Sequence, residues 1–164
     1  MKKIYVLLLL SLFFYSCTKE VPETEKKLSR TVSTNEIKQL FENFTSDVNS
    51  NNLDKIDSYF EGDFSSFVQD ADSAVDLNSY KTNLVNFQKQ YPSGKLQTNI
   101  EDIFVSEELA AAQVFVSYMI NDPVEKGMNP VYSERSIKLL RKSKTDNSWK
   151  IFRSLSTPAF SYDN

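Results

Sequence analysis

The residues that could carry chemistry are few in this chain. It has 164 residues, no histidine and one cysteine, Cys17. Histidine titrates near neutral pH and is the commonest metal ligand, so its absence removes the most usual general base and metal site. Acid–base chemistry would have to rest on carboxylates, tyrosine, lysine or serine. The spacing of Asp72 and Asp76 does not match a calcium-binding EF-hand loop, and we expect neither a metal nor a cofactor.

Residues 1–16 have the order of a secretory signal peptide. Lys2 and Lys3 precede an apolar stretch from Ile4 to Tyr15, and small residues follow. A membrane-spanning helix needs roughly 20 apolar residues, so this run is too short to span. The sequence therefore predicts export of the chain.

Cys17 follows directly on this signal, and the stretch Phe14-Tyr15-Ser16-Cys17 resembles the bacterial lipobox. In that motif the cysteine thiol is acylated and the cysteine becomes the new amino terminus. Phe14 replaces the commoner leucine and Tyr15 a small residue, so a plain signal peptide with an unrelated cysteine is the alternative. Acyl chains hold a protein at a membrane because each buried methylene contributes about 0.8 kcal/mol. The lipobox predicts a bacterial envelope lipoprotein anchored through Cys17. Thr18 favours the outer membrane, because an aspartate at this position would resemble the inner-membrane retention signal.

The charge balance argues against nucleic acid as a partner. Lys and Arg number 19 and Asp and Glu 22, for a net charge of −3. Phosphate binding needs a concentration of basic residues that this chain lacks. The clusters Lys26-Lys27 and Lys138 to Lys144 are interpreted as a solvated tether and a strand end.

The domain is predicted to occupy residues 33–157, between a flexible tether (17–32) and a C-terminal tail (158–164). Ser33 and Glu36 have the spacing of a capping box, which predicts a helix start. The apolar stripe of this helix is followed by a short helix that ends at Gly62, a brief strand from Phe64, and a third helix of about four turns. The stripe consists of Ile37, Leu40, Phe41, Phe44 and Val48.

The remainder of the domain alternates at period two, which predicts strands. The predicted strands are 96–105, 110–120, 132–142 and 149–153. Three helices before an antiparallel meander indicate an α+β domain, with the helices on one face of a curved sheet.

Three stretches in this order make the chain similar to the nuclear transport factor 2-like superfamily, which includes the polyketide cyclase SnoaL and ketosteroid isomerase. They are NNLDKIDSYF, FSSFVQD and NSWKIFRSLS, and the resemblance covers nearly all of residues 33–157. It implies a cone-shaped, cystatin-like fold, with three N-terminal helices packed on a curved antiparallel sheet. The open end of the cone is often a pocket in this superfamily.

Of the three catalytic positions that the resemblance implies, one has a matching residue in this chain and two do not. The family's general-base aspartate falls on Asp70, for which a turn-capping carboxylate is the alternative. The tyrosine that donates to the oxyanion falls on Phe44, and the second donor falls near Ser136 or Ile137. One such donor is worth roughly 3 kcal/mol, so steroid-type isomerisation is not expected.

Phe44, Tyr118, Arg135 and Arg153 are the candidate ligand-pocket residues. The last three lie on predicted strands, where an inward side chain would line a ligand site. Surface strand residues, with the arginines paired to nearby acids, are the alternative.

Three classes of function follow. The first is a noncatalytic domain that binds a small apolar ligand or a partner protein at the envelope membrane. The second is a SnoaL-like enzyme of isomerase, cyclase or dehydratase type with Asp70 as base, and the third is a structural module that forms a homodimer. The lost oxyanion donors favour the first class.

Overall fold

The computed structural model describes residues 23–69, 71–122 and 127–159. Two α-helices, one 3-10 helix and six strands make up this part of the chain. In chain order they are α1 (Glu23–Asn49), the 3-10 helix (Leu53–Tyr59), β1 (Phe60–Val68), β2 (Val75–Asp76), α2 (Leu77–Gln90), β3 (Lys95–Val105), β4 (Leu109–Asp122), β5 (Gly127–Lys142) and β6 (Trp149–Pro158).

The strands form one curved, open sheet in the order β2-β1-β6-β5-β4-β3. Strands β3 to β6 are an antiparallel meander, as the alternation predicts. Strand β1 pairs in parallel with β6, so the sheet is mixed rather than wholly antiparallel. A parallel pair requires a long crossover, and here the connection runs through α2 and the whole meander.

The helices cover one face of the sheet, which we call the inner face. The predicted stripe of α1 is buried there, in one core cluster with alternate residues of β4 and with residues of β6. Ala112, Val114 and Leu140 are fully buried on the strands. The opposite face carries several exposed apolar side chains, and we call it the outer face.

The first helix begins at Glu23, so the predicted start at Ser33 is wrong. Ser33 is buried within the helix, and the Glu36 carboxylate accepts a hydrogen bond from the Trp149 indole (Oε2 to Nε1, 3.1 Å) instead of capping. Glu23 and Glu25 lie in the first turn, where negative charge stabilises a helix. Residues 23–32 are helical and exposed, and burial starts at Ser33.

Two further local differences concern the segment after α1. Gly62 lies within β1 rather than at the end of the short helix, because β1 already starts at Phe60. Helix α2 starts after Asp76, whose Oδ1 accepts the Ser79 N–H at 2.7 Å. In residues 23–69, 71–122 and 127–159, no helix is long and apolar enough to cross a membrane.

Candidate functional site

Phe44 lies in the aromatic core rather than on the wall of an open pocket. Its ring centroid is 5.6 Å from that of Tyr59 and 5.8 Å from that of Phe60, both edge to face. Phe64 continues this group, at 4.6 Å from Phe60. These rings fill the space between α1, the 3-10 helix and β1, so Phe44 serves packing.

Tyr118 belongs to a second aromatic group, on β4 and α2. Its ring is 4.5 Å from Phe87, which in turn is 4.9 Å from Tyr91. The Tyr118 hydroxyl reaches the Tyr91 carbonyl only at 3.5 Å, which is a weak hydrogen bond. Phe44 and Tyr118 therefore both face inward, in separate clusters.

Arg135 and Arg153 lie on the outer face, so the structure does not bring them together with Phe44 and Tyr118. Arg135 stands opposite Phe115 on β4, with its guanidinium 5.5 Å from that ring and its Nε 3.2 Å from Glu101 Oε1. Arg153 donates from Nη1 to the Asp63 carbonyl at 2.7 Å. Both arginines lie near acidic side chains, Arg135 at Glu101 and Arg153 at Asp63, and their assignment to a ligand pocket stays a prediction.

The two remaining predicted site residues, Asp70 and Cys17, lie outside the described residues. The general-base and lipidation assignments remain predictions from the sequence.

The inner face carries a polar cluster that the sequence did not predict. Lys138 Nζ lies 3.1 Å from Glu134 Oε1 and 2.8 Å from Ser154 Oγ. Tyr132 donates its hydroxyl to Glu134 Oε2 at 2.6 Å, and Ser154 Oγ is 3.2 Å from Ser156 Oγ. We call these five residues the inner polar cluster. The Lys138 and Glu134 side chains are only 11% and 13% exposed, so their ion pair is largely removed from water.

Small residues on neighbouring strands make room for this ion pair. Glu134 and Lys138 are four positions apart on β5, which in a strand is about 13 Å of backbone. Ser136 lies between them on the same face, and its short side chain lets Lys138 extend along the strand. Across the sheet, Lys138 pairs with Ser154 and Ser136 pairs with Ser156. The side chains beside the two charges on the neighbouring strand are therefore also short.

The charges of the cluster stabilise one another. Burial alone would raise the pKa of Glu134, but the Lys138 ammonium and the hydroxyls of Tyr132 and Ser156 outweigh burial and hold the pKa below its ordinary value. Burial raises the pKa of the Tyr132 hydroxyl, and the Glu134 charge raises it further. Burial and the same charge also raise the pKa of Tyr80. At neutral pH the site therefore holds one carboxylate, one ammonium and neutral phenols.

This arrangement is suited to hydrogen bonding rather than to proton abstraction. Glu134 is occupied by Lys138 and Tyr132, which hold its pKa below the ordinary value and make it a weak base. Aromatic rings lie beside the cluster, since Phe87 is 6.2 Å from Tyr132. Within the described residues, no group of three or more Asp, Glu, Cys or His side chains is placed to hold a metal ion.

The outer face has a groove of about 520 Å³. Phe67, Leu155 and Ile137 are neighbours across β1, β6 and β5, and each is nearly half exposed. Arg135 and Gln113 border the groove. It is an apolar surface with a cation at its margin.

One signal in the sequence could have located the inner polar cluster. On β5, Arg135 and Ile137 lie on one face and Glu134 and Lys138 lie on the other. Each face mixes charged with apolar residues. The serines at 136, 154 and 156 distinguish them, because short side chains on adjacent strands mark the face that is crowded by helices.

Comparison with solved structures identifies the fold as cystatin-like, of the nuclear transport factor 2-like type. A nuclear transport factor 2-like protein from Novosphingobium aromaticivorans superposes with a TM-score of 0.69 at 10% identity, over 88% of this chain and 94% of that one. A domain of unknown function from Nostoc punctiforme gives 0.63 at 13% identity, over 80% of each chain. An uncharacterised Caulobacter vibrioides protein gives 0.59 at 16% identity, over 79% of this chain and 91% of that one.

Sequence comparison adds nothing to this result. No protein-family model matches the chain. No curated protein matches it either. The α+β, cone-type fold expected from the sequence is confirmed by structure, and these distant similarities establish the fold alone.

Proposed function

We propose that this protein is a bacterial envelope lipoprotein, anchored through Cys17, whose domain binds a small, largely apolar ligand without catalysing a reaction. The observation that supports noncatalytic binding is the mutual pairing of Glu134 and Lys138 on the inner face. A catalytic carboxylate needs a pKa near the working pH, whereas pairing lowers the pKa of Glu134.

The inner polar cluster would hold the polar end of such a ligand. Tyr132 is 39% exposed while its hydroxyl bonds Glu134, so the cluster is reached from solvent on this side. The rings of Phe87 and Tyr80 would contact the apolar body of the ligand, in the usual pattern of an apolar site with a few polar groups.

Ligand capture tests this proposal. The full-length protein would be purified from its native envelope, and bound small molecules would be identified by mass spectrometry. The double variant Glu134→Gln/Lys138→Met should lose the ligand, because it removes both charges while keeping similar side-chain volumes. Lys150→Met is the matched control, since it removes a surface ion pair with Asp146 and should retain the ligand. Retention by the double variant would contradict a role for the cluster.

Asp70→Asn distinguishes a binder from an enzyme. If the protein only binds, this variant should carry the same ligand in the same amount as the wild type. Conversion of the captured ligand by the wild type but not by Asp70→Asn would support the SnoaL-like alternative, with Asp70 as the general base.

Anchoring is tested separately at Cys17. Cys17→Ala should abolish incorporation of a palmitate analogue and release the protein from the membrane fraction, whereas Ser16→Ala should leave both unchanged. Membrane retention of the Cys17→Ala protein without label would refute the lipid anchor.

The outer groove favours a second candidate function, pairing with another copy of the chain. Phe67, Ile137 and Leu155 form a contiguous exposed apolar surface, which is typical of a protein interface. Light scattering should report a dimer for the wild type and a monomer for Leu155→Lys. Leu28→Lys is the control, because Leu28 is equally apolar and exposed but lies on the N-terminal part of α1. A monomeric wild type at high concentration would reject this function.

A further inference from the structure

A second pocket lies at the C-terminal ends of the two α-helices. It is bounded by the last residues of α1, by the C-terminal turns of α2 and by the connection from α2 to β3. Its volume is about 550 Å³, within the usual range of small-molecule sites. We call it the helix-end pocket.

Gln88 gives this pocket a specific polar feature. Its Nε2 donates to the Val48 carbonyl at 2.7 Å, which fixes the orientation of the amide, since the reverse orientation would set two oxygens against each other. Its Oε1 is then buried and has no hydrogen-bond partner among the described residues. A buried acceptor without a donor is costly and uncommon in proteins. The Gln88 oxygen thus lacks a donor, and Gln88 is one of the residues that line the pocket.

The charged residues of the pocket are all positive. Lys89 and Lys95 line it, and its lining includes no acidic residue. Lys95 Nζ donates to the Asn49 carbonyl at 3.1 Å, which holds this ammonium at the rim. The pocket therefore attracts an anion.

The remaining wall is apolar and closely packed. Leu53, Val85 and Pro92 lie along it, and the Tyr118 ring closes it. The ring lies directly against Gly94, where a Cβ would overlap it. A ligand of this pocket must combine an anionic group, a hydrogen-bond donor and a small apolar part.

We propose that the helix-end pocket binds a small 2-hydroxycarboxylic acid. The carboxylate would lie between Lys89 and Lys95, the hydroxyl would donate to Gln88 Oε1, and the alkyl part would contact Leu53 and Val85. The lining of this pocket includes none of the five residues of the inner polar cluster, and its Tyr118 is the cross-strand neighbour of Tyr132 in that cluster.

Lactate and propionate provide the matched test, because they have the same charge and nearly the same size and differ in the hydroxyl. Calorimetry on the full-length protein in nonionic detergent at neutral pH should show saturable binding of lactate, tighter than that of propionate by about tenfold, the usual discrimination of one hydrogen bond. Lys89→Gln and Lys95→Gln should each weaken both acids. Lys150→Met, which removes the ion pair with Asp146 outside the pocket, should bind lactate as the wild type does.

Gln88→Met tests the role of the unpaired acceptor, Gln88 Oε1. It should bind the two acids equally, and it should melt no lower than the wild type, because Val48 O keeps its bond from the Asn51 N–H (3.1 Å) and the unpaired oxygen is gone. A purely structural Gln88 would instead give a lower melting temperature and an unchanged preference for lactate.

Gln88→Glu is the second variant, since it keeps the shape and an acceptor but adds a negative charge. It should bind neither acid. No saturable binding of lactate to the wild type, equal affinity for both acids, or retained lactate preference in Gln88→Met would each overturn the proposal.

Discussion

Trp149 on β6 donates its indole N–H to the Glu36 carboxylate of α1, over 3.1 Å. The bond joins residues 113 positions apart and fixes α1 across the end of the sheet. The Trp149 ring is itself buried, with Lys142 Nζ 5.5 Å from its centroid. One residue thus connects the first helix to the last strand.

Trp149→Phe should therefore lower the free energy of unfolding by about 2 kcal/mol, because a hydrogen bond to a charged group and part of a buried ring are lost. Urea unfolding measures the effect. Glu36→Gln is the control, since an amide oxygen still accepts the indole N–H, and it should cost less than Trp149→Phe. Equal stability of Trp149→Phe and the wild type would show that the bond does not fix α1.

Glu134 should make the protein sensitive to acid. Its pKa in the folded state is below the ordinary value of 4.5, so its contribution to stability is present above that value and is lost as the pH falls through the folded pKa. The free energy of unfolding should fall as the pH is lowered below about 4.5, and Glu134→Gln should show a smaller fall. Parallel pH profiles of the two proteins would contradict the lowered pKa.

At pH 7, replacing only Lys138 of the Glu134–Lys138 pair should lower the free energy of unfolding more than replacing both residues. Lys138→Met leaves the Glu134 carboxylate largely buried without its cation and should lower the free energy of unfolding by about 3 kcal/mol. Glu134→Gln/Lys138→Met should be more stable than Lys138→Met, as chemical unfolding would show. The reverse order would mean that the two charges do not interact.

Gly94 is required by the close approach of Tyr118. An added Cβ would overlap Cε1 and lie 2.9 Å from Cζ of that ring, so Gly94→Ala should displace the ring and lower the free energy of unfolding by about 2 kcal/mol. Gly62→Ala is the matched control, because nothing lies within 4 Å of its added Cβ. Thermal melting of both variants checks this, and an equal change in the two would refute the steric argument.

Asp76 should stabilise α2 as its N-cap. Loss of its hydrogen bond to the Ser79 N–H in Asp76→Ala should lower the melting temperature, whereas Asp76→Asn retains an acceptor and should lower it less. The Ser79 N–H bond, with other hydrogen bonds, lowers the pKa of Asp76, so the difference between the wild type and Asp76→Ala should shrink in acid. Equal unfolding of the Ala and Asn variants would argue against the cap.

The elements with one clear apolar face could be predicted from the sequence. The stripe of α1 and the alternation of β4 each bury one side and leave the other in water, so period alone identifies the element and its inner face. The start of α1 could not be predicted in this way. Residues 23–32 contact no core, and no apolar pattern marks them as helical.

The apolar pattern of β5 does not reveal the inner polar cluster, because charged and apolar residues occur on both faces of this strand. Glu134 and Lys138 point inward while Ile137 points outward, contrary to the usual preference of each residue type. Contacts in the folded structure compensate for the inward charges and the outward isoleucine. Each buried charge has a partner, and Ile137 adjoins the apolar side chain of Leu155. A sequence pattern does not contain those contacts.

The parallel pairing of β1 with β6 sets an order of assembly. Strand β1 lies between β2, a strand of two residues, and β6, the last strand of the domain. A nascent chain that ends before Trp149 can form the hairpins of β3, β4 and β5, but it leaves β1 without its principal neighbour. The N-terminal third of the domain must therefore wait for the C-terminal strand, and the protein is expected to fold after synthesis is complete rather than progressively from its first helix.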